Sequence, residues 1–207
     1  RPTLIRSLSI EAVPMAVLIS VGHSEHSITT TAEMTKLLAM AGSSLVIEAE
    51  TTIAGVCDRL NKALVFVVGA TGCSTSRVLG DYVVDATEHA LREISLGDEA
   101  AYRLTDFPLT AEVLRTAEPR TVSFADGDVD PAEAFILRDL GMNALMMLPI
   151  MVRGRAWGLV ELYEMRLRRF GQDDLAVAQF LVAQAQQRLE LAVGAGDALR
   201  RPRVYEL

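Results

Sequence analysis

One stretch limits most strongly how this chain can fold: Gly141 to Glu164, GMNALMMLPIMVRGRAWGLVELYE. Two apolar runs, Asn143–Val152 and Ala156–Glu164, flank the polar break Arg153-Gly154-Arg155, which predicts an antiparallel hairpin with a short turn. Both parities of the first run are apolar, with Ala144, Met146, Leu148 and Ile150 alternating with Leu145, Met147 and Met151. A strand without a polar face needs a covering layer on each side. In the second run Gly158, Val160 and Leu162 share one parity, and Trp157, Leu159, Glu161 and Tyr163 share the other. That second face directs a carboxylate and two aromatic polar tips into a covered layer. A buried charge needs a reason, and a ligand pocket is one.

With 207 residues, half of them hydrophobic, the chain can bury one proper core with flanking segments. The net charge of -7 and the scattered basic residues argue against a nucleic-acid surface, which needs clustered Lys and Arg. Cys57 and Cys73 form neither a disulfide framework nor a CxxC pattern, which fits a reducing, cytoplasmic setting. No apolar run approaches the roughly 18 residues needed to span a bilayer, and the start has no signal-peptide layout, so no membrane insertion is expected. Because the chain begins with Arg1 rather than Met, we expect a piece of something longer.

Residues 1–29 read as an N-terminal linker or extension, with a short apolar run from Met15 to Val21. His23 and His26 are three apart but lack a nearby third ligand, so no metal site is expected. From Thr30 or Thr31 a helical stripe runs through Met34, Leu37, Leu38 and Ala41 to Gly42, as expected of a capped helix ended by glycine. A second helix is expected from about Glu48 to Val68, with Ile53, Val56, Cys57, Leu60, Leu64 and Val67 on one face and Gly69 closing it. Cys57 on that stripe reads as a small core residue.

Gly72–Leu79 and Tyr82–His89 predict a hairpin turned at Gly80-Asp81. One face of its first strand carries Cys73, Thr75 and Arg77, the other Ser74, Ser76 and Val78. Polar groups over a sheet mean either an edge strand in water or a polar pocket wall. Leu91–Gly97 is expected as a short strand and Asp98–Phe107 as loop; a helix from Leu109 to Thr116 and a strand from Arg120 to Phe124 follow. Asp130 is expected to cap a helix started by Pro131, with Phe135, Ile136 and Leu140 turned inward. A long helix from Gln172 to about Val193 carries the stripe Leu175, Ala178, Leu181, Val182, Ala185 and Leu189, with Val177, Phe180 and Leu191 almost opposite. A second apolar line needs a partner, and a symmetric dimer supplies one.

The order of these elements resembles the GAF domain. Leu148-Pro149-Ile150, Arg153-Gly154-Arg155, Trp157-Gly158-Leu159-Val160-Glu161-Leu162-Tyr163, Phe170 with Asp173-Asp174-Leu175, and Ala183-Gln184-Ala185 are similar to that family's closing pattern. Gly69-Ala70-Thr71-Gly72-Cys73 is similar to its junction between helix and first strand. The resemblance covers about residues 31–193, within a domain expected at 30–193 and followed by a C-terminal linker at 194–207. Asp106-Phe107-Pro108, Glu112-Val113-Leu114 and Glu118-Pro119 resemble GAF modules of high-GC Gram-positive (actinobacterial) signalling proteins. Those modules often precede diguanylate cyclase, phosphatase or kinase domains.

The resemblance implies an α+β, GAF/PAS-like antiparallel sheet of five or six strands. Terminal helices would cover one face, and small helices and loops would lie over a pocket on the other. It further implies a homodimer through the terminal helices and an unknown small molecule as ligand. Asn61-Lys62 lies outside the element where cyclic-nucleotide members carry that pair, Cys57 and Cys73 lie apart from a bilin attachment position, and haem would depend on His89. The cofactor is therefore left unknown. Candidate ligand-binding residues are Arg77, His89, Trp157, Glu161 and Tyr163; candidate dimer-interface residues are Val177, Phe180 and Leu191. A Glu161–Arg77 ion pair is the structural alternative to a pocket role for Glu161. A non-enzymatic sensory or regulatory module is the leading reading. A ligand-free dimerisation module whose pocket is filled by Met146, Met147 and Met151, or a small enzyme on this fold, are the alternatives.

Overall fold

The computed structural model describes residues 25–91, 101–127 and 129–200. In chain order the elements are α1 (Glu25–Glu48), α2 (Ile53–Leu64), β1 (Gly72–Leu79), β2 (Tyr82–Ala90), β3 (Ala101–Arg103), α3 (Pro108–Thr116), β4 (Arg120–Ser123), α4 (Pro131–Asp139), β5 (Ala144–Val152), β6 (Arg155–Glu164) and α5 (Gln172–Arg200). The Met15–Val21 run, His23 and most of the strand expected at Leu91–Gly97 lie outside the described residues.

The six strands form one antiparallel sheet in the order β3-β2-β1-β6-β5-β4. The two apolar runs are its β5–β6 hairpin, and Arg153 and Gly154 close it with φ of 52° and 72°. Two successive positive φ values match the right-handed twist of the arms. Both faces are covered, as the double parity of β5 requires. On one face Ala144, Met146, Leu148 and Ile150 of β5 and Val160 and Leu162 of β6 pack against α1, α2 and α5. On the other, Leu145, Met147, Leu159 and Tyr163 pack against α3 and α4 through Val113, Leu114 and Leu137.

The polar residues of β1 have separate explanations on its two faces. Toward the helices, Asn61 of α2 is fully buried and satisfied. Its amide donates to the Thr87 carbonyl and hydroxyl at 3.0 Å each and accepts from Thr75 Oγ1 at 2.6 Å and Cys73 Sγ at 3.3 Å. Buried polar groups bonded in this way tie α2 to β1 and β2 without an open desolvation penalty. Toward α3 and α4 lie Ser74 and Ser76, which belong to the site described below.

Several boundaries differ from the sequence expectation. Helix α1 starts at Glu25 and runs through Gly42 to Glu48, because one glycine costs a helix only about 1 kcal/mol and Ser44 and Ile47 beyond it are buried. Helix α2 then starts at Ile53, with Thr52 Oγ1 accepting from Gly55 N at 3.1 Å. A π-helical turn, Val65–Gly69, prolongs it. The expected loop at Asp98–Phe107 includes β3 and a 3-10 turn at Leu104–Asp106. Asp130 does cap α4, its Oδ1 accepting from Ala132 N at 2.9 Å. However, Phe135 is 69% exposed; Leu140 does pack inward as expected, together with buried Glu133, Ala134 and Leu137. The α1 stripe also reverses: Met34, Leu37, Leu38 and Ala41 are exposed, while the inner side of α1 carries Met40, Ser44 and Ile47.

At the end of β6, Glu164 is completely buried. Its carboxylate accepts from Thr71 Oγ1, from Arg166 Nη2 at 2.5 Å and from Arg168 Nε at 3.0 Å. Burial alone would raise its pKa, but the bonds from Arg166 and Thr71 and the Arg166 charge outweigh it and hold the carboxyl at about 2. Arg168 reaches on to Asp174 in the first turn of α5, and Asp174 pairs with Lys36 of α1. A chain of ion pairs thus joins the end of the central strand to both terminal helices.

Gly158 lets β1 lie close against β6, since a Cβ there would sit 2.4 Å from the Ser76 carbonyl oxygen. Gly158→Ala is expected to force the two strands apart and lower stability by about 2 kcal/mol, read as a lower urea midpoint with an unchanged m-value.

Candidate functional site

The candidate ligand residues divide between the two faces of the sheet, and a single extra residue in β6 decides the division. Ile150 pairs with Gly158, but Met151 pairs with Ala156, leaving Trp157 as the extra residue of a β-bulge. A bulge resets side-chain parity, so Trp157 joins the helical-layer core rather than sharing the face of Glu161. Arg77 meets it there, with its guanidinium carbon 3.9 Å from the indole centroid and Nη1 donating to the Trp157 carbonyl at 2.8 Å. His89 pairs across from Cys73 and therefore also lies on the helical face, since cross-strand partners share a face. The structural alternative of a Glu161–Arg77 ion pair is excluded, because the two side chains leave the sheet on opposite sides.

Glu161 and Tyr163 come together in the layer beneath α3 and α4, where five further elements bring polar groups. Ser74 and Ser76 enter from β1 and Asp85 from β2, and Ser76 Oγ donates to Asp85 Oδ1 at 2.6 Å. Tyr102 enters from β3, its ring edge-on to Phe107 with centroids 4.8 Å apart. Thr110 of α3 donates to Glu133 Oε1 of α4 at 3.4 Å and lies 3.6 Å from Met147 Sδ. Glu133 is in the first turn of α4, three residues after its capping Asp130.

This layer disfavours charge. Glu161, 7% exposed, is pushed up to about 8 by burial and then by the charges of Asp85 and Glu133. Burial also raises Glu133 to about 7, with Asp130 adding to the effect. Asp85 is raised by burial, although the bond from Ser76 opposes this. The Tyr102 and Tyr163 hydroxyls are held protonated by burial and by the adjacent Glu161. Near neutral pH Glu161 and Glu133 are therefore acids that can each donate or accept, according to what they face.

Two polar atoms in it are buried with no hydrogen-bond partner among the described residues: the Tyr102 hydroxyl and Glu133 Oε2. Each is expensive to leave unpaired, at about 1–3 kcal/mol. The arrangement therefore offers a hydroxyl that faces Glu161 without a well-formed bond, and an open carboxyl oxygen on Glu133, beside a protonatable glutamate. The two cysteines lie elsewhere, both buried, and burial pushes Cys57 up to about 11 and Cys73 well above the ordinary thiol range. Neither has the exposure or the thiolate character of a reactive thiol.

Asp85, Tyr102 and Glu133 were not identified from sequence. Tyr102 fell in a stretch read as loop, and Glu133 has an ordinary role as an acid in the first turn of a helix. The alternation of Ser74 and Ser76 was the available signal, and the structure resolves its two open readings in favour of a polar wall on one face.

The raised carboxyl sets a pH dependence. An unfolded glutamate titrates near 4.5, whereas folded Glu161 does so at about 8. Between those values the folded state binds a proton that the unfolded state has released, so stability falls as pH rises through this window. Glu161→Gln is expected to flatten the decline, leaving the share due to Glu133, as read from urea midpoints at about pH 5 and about pH 8.

A family model for the GAF domain matches residues 28–189. Among solved structures, the fold is similar to the chromophore-binding domain of an unusual bacteriophytochrome, RpBphP3 from R. palustris, with a TM-score of 0.69 and 12% sequence identity. The match covers 84% of this chain, which spans 64% of that one. At this identity the likeness concerns fold alone. No curated protein sequence matches the chain. The six-stranded antiparallel sheet, its two covering layers and the extent of the family match agree: the chain belongs to the GAF domain family.

Proposed function

We propose that this chain is a non-enzymatic sensory module, residues 30–193, of a bacterial cytoplasmic signalling protein. A hydroxylated or cationic small molecule held by the Glu161 cluster controls an output domain such as a diguanylate cyclase, kinase or phosphatase. The observation that carries the reading is the pair of buried, unpartnered atoms on Tyr102 and Glu133. A ligand hydroxyl could accept from the first and donate to the second; an ammonium could do the latter while favouring ionised Glu161.

A homodimer through the terminal helices supplies the output. Helix α1 exposes Met34, Leu38 and Leu45 at 54%, 67% and 67%, and with Ala41 these positions follow the 4-3-4 spacing of a coiled-coil seam. Beside them a groove of about 460 Å³ runs between α1 and α5, lined by Leu37, Met40, Val177 and Phe180. Leu191, 63% exposed, extends the apolar surface along α5. Such a surface favours a second copy. The ion-pair chain from Glu164 through Arg168 and Asp174 to Lys36 is the physical route by which a change beneath β6 would shift α1 against α5. In this reading residues 1–29 and 194–207 connect the module to its neighbours, and ligand binding shifts the population of two helix arrangements.

A purely structural dimerisation unit is the second reading. It is favoured by fully buried Met147, which occupies part of the space beside Thr110.

Native mass spectrometry of the purified protein tests both. The expected result is a dimer with a non-covalent adduct that is lost in Glu133→Ala and Tyr102→Phe; a dimer that stays bare when incubated with its metabolite extract selects the structural unit. Substituting Phe180 and Leu191 with Asp, or Leu38 with Asp, is expected to yield a folded monomer, and an unchanged solution mass would refute the interface.

A further inference from the structure

The bulge that moves Trp157 away from Glu161 creates a second polar concavity on the opposite side of the sheet. A cavity of about 480 Å³ opens there, bounded by Arg77 and Val78 of β1, the β5–β6 turn with Arg153 and Arg155, Trp157, and Val193 of α5. Three arginines line it and no acid does, in a chain whose net charge is -7. The nearby Glu190 is engaged on α5, accepting from the backbone N–H of Arg153 at 3.0 Å.

Arg77 is half-buried, and neither it nor Arg155 has a carboxylate partner among the described residues. Burial lowers the pKa of Arg77, the direction expected of a cation removed from water without a counter-ion. The acidic group closest in kind, the Cys57 thiol, titrates at about 11 and supplies no anion. Stacking on the indole and the one bond to the Trp157 carbonyl hold the guanidinium in place, leaving most of its N–H donors for another acceptor.

We propose that this cavity is a second ligand site, which takes a small oxyanion, a phosphate or carboxylate group, through Arg77 and Arg155. The fixed fork of a guanidinium matches two oxygens of such a group. Arg77 and Arg155 open on one concavity rather than forming a stripe, which suits a small ligand rather than a polyanion. The site is independent of the Glu161 cluster. It adjoins α5 at Val193, so an anion bound to Arg77 and Arg155 would act on the segment by which α5 leaves the domain.

Trp157 is the single tryptophan of the chain, so its fluorescence reports this cavity alone. The full chain would be titrated at constant ionic strength with inorganic phosphate, pyrophosphate, acetate and citrate, using chloride as control. A saturable change in emission is expected with either the phosphates or the carboxylates, and which pair responds names the class. Arg155 is exposed and bonds to nothing that folding needs, so Arg155→Ser should remain folded while weakening the response about tenfold or more, the effect of one charge-assisted hydrogen bond. Arg77→Met should weaken it at least as much, with circular dichroism confirming the fold. Glu161→Gln should leave it intact, separating this site from the one beneath α3 and α4. No saturable response to any of the four anions at millimolar concentration, or a response unaffected by both arginine substitutions, overturns the proposal.

Discussion

From Trp157 to Glu164 strand β6 meets water on neither face, and the remainder of the molecule is arranged to satisfy that condition. With β5 and β1 on its two edges, its backbone groups are paired within the sheet, leaving side-chain burial as the open requirement. Val160 and Leu162 are covered by the three long helices, Leu159 and Tyr163 by the two short ones. Gly158 permits β1 to approach closely, and Glu164 fastens the strand's end to α5 through Arg168 and its pairing with Asp174. A layered domain results in which one strand contributes to both cores and to both candidate sites.

Those sites differ in electrostatic character for the same reason. On one face several carboxyls compete for space beneath the short helices, and burial holds them toward the protonated form. On the other an arginine lies against an indole with no acid to neutralise it. Sheet and side chains separate the two, so each environment keeps its own sign. Helix α5 is held at its first turn by the ion pairs from the end of β6 and borders the arginine cavity at Val193. In the proposed sensory role, the direction of α5 is where the influences of the two sites would combine.

The outer surface of the helical layer is a further consequence. Because Met40, Ser44 and Ile47 form the inner side of α1, its stronger apolar stripe remains in solvent. Phe66, 74% exposed in the turn that prolongs α2, borders a groove with Ala39 and Val46 of α1 and adds to this surface. This outward apolar face is what the proposed dimer would cover.

The sequence by itself determined the elements whose periodicity was long and consistent: the β5–β6 hairpin, the Leu175–Leu189 stripe of α5, the capped start of α4, and the need for layers on both sheet faces. These follow from local backbone preference and side-chain alternation, which few residues suffice to express. Tertiary structure decided which face each polar residue reached. One unpaired residue at Trp157 changed the parity that had grouped it with Glu161, and pairing across β1 put His89 with Cys73 rather than with Tyr163. The α1 stripe turned outward for a similar reason: an amphipathic pattern identifies an apolar side but not what covers it. Asp85, Tyr102 and Glu133 converge from β2, β3 and α4, and no spacing along the chain records that convergence. Their proximity depends on strand order and on how the short helices close over the sheet, both properties of the assembled fold.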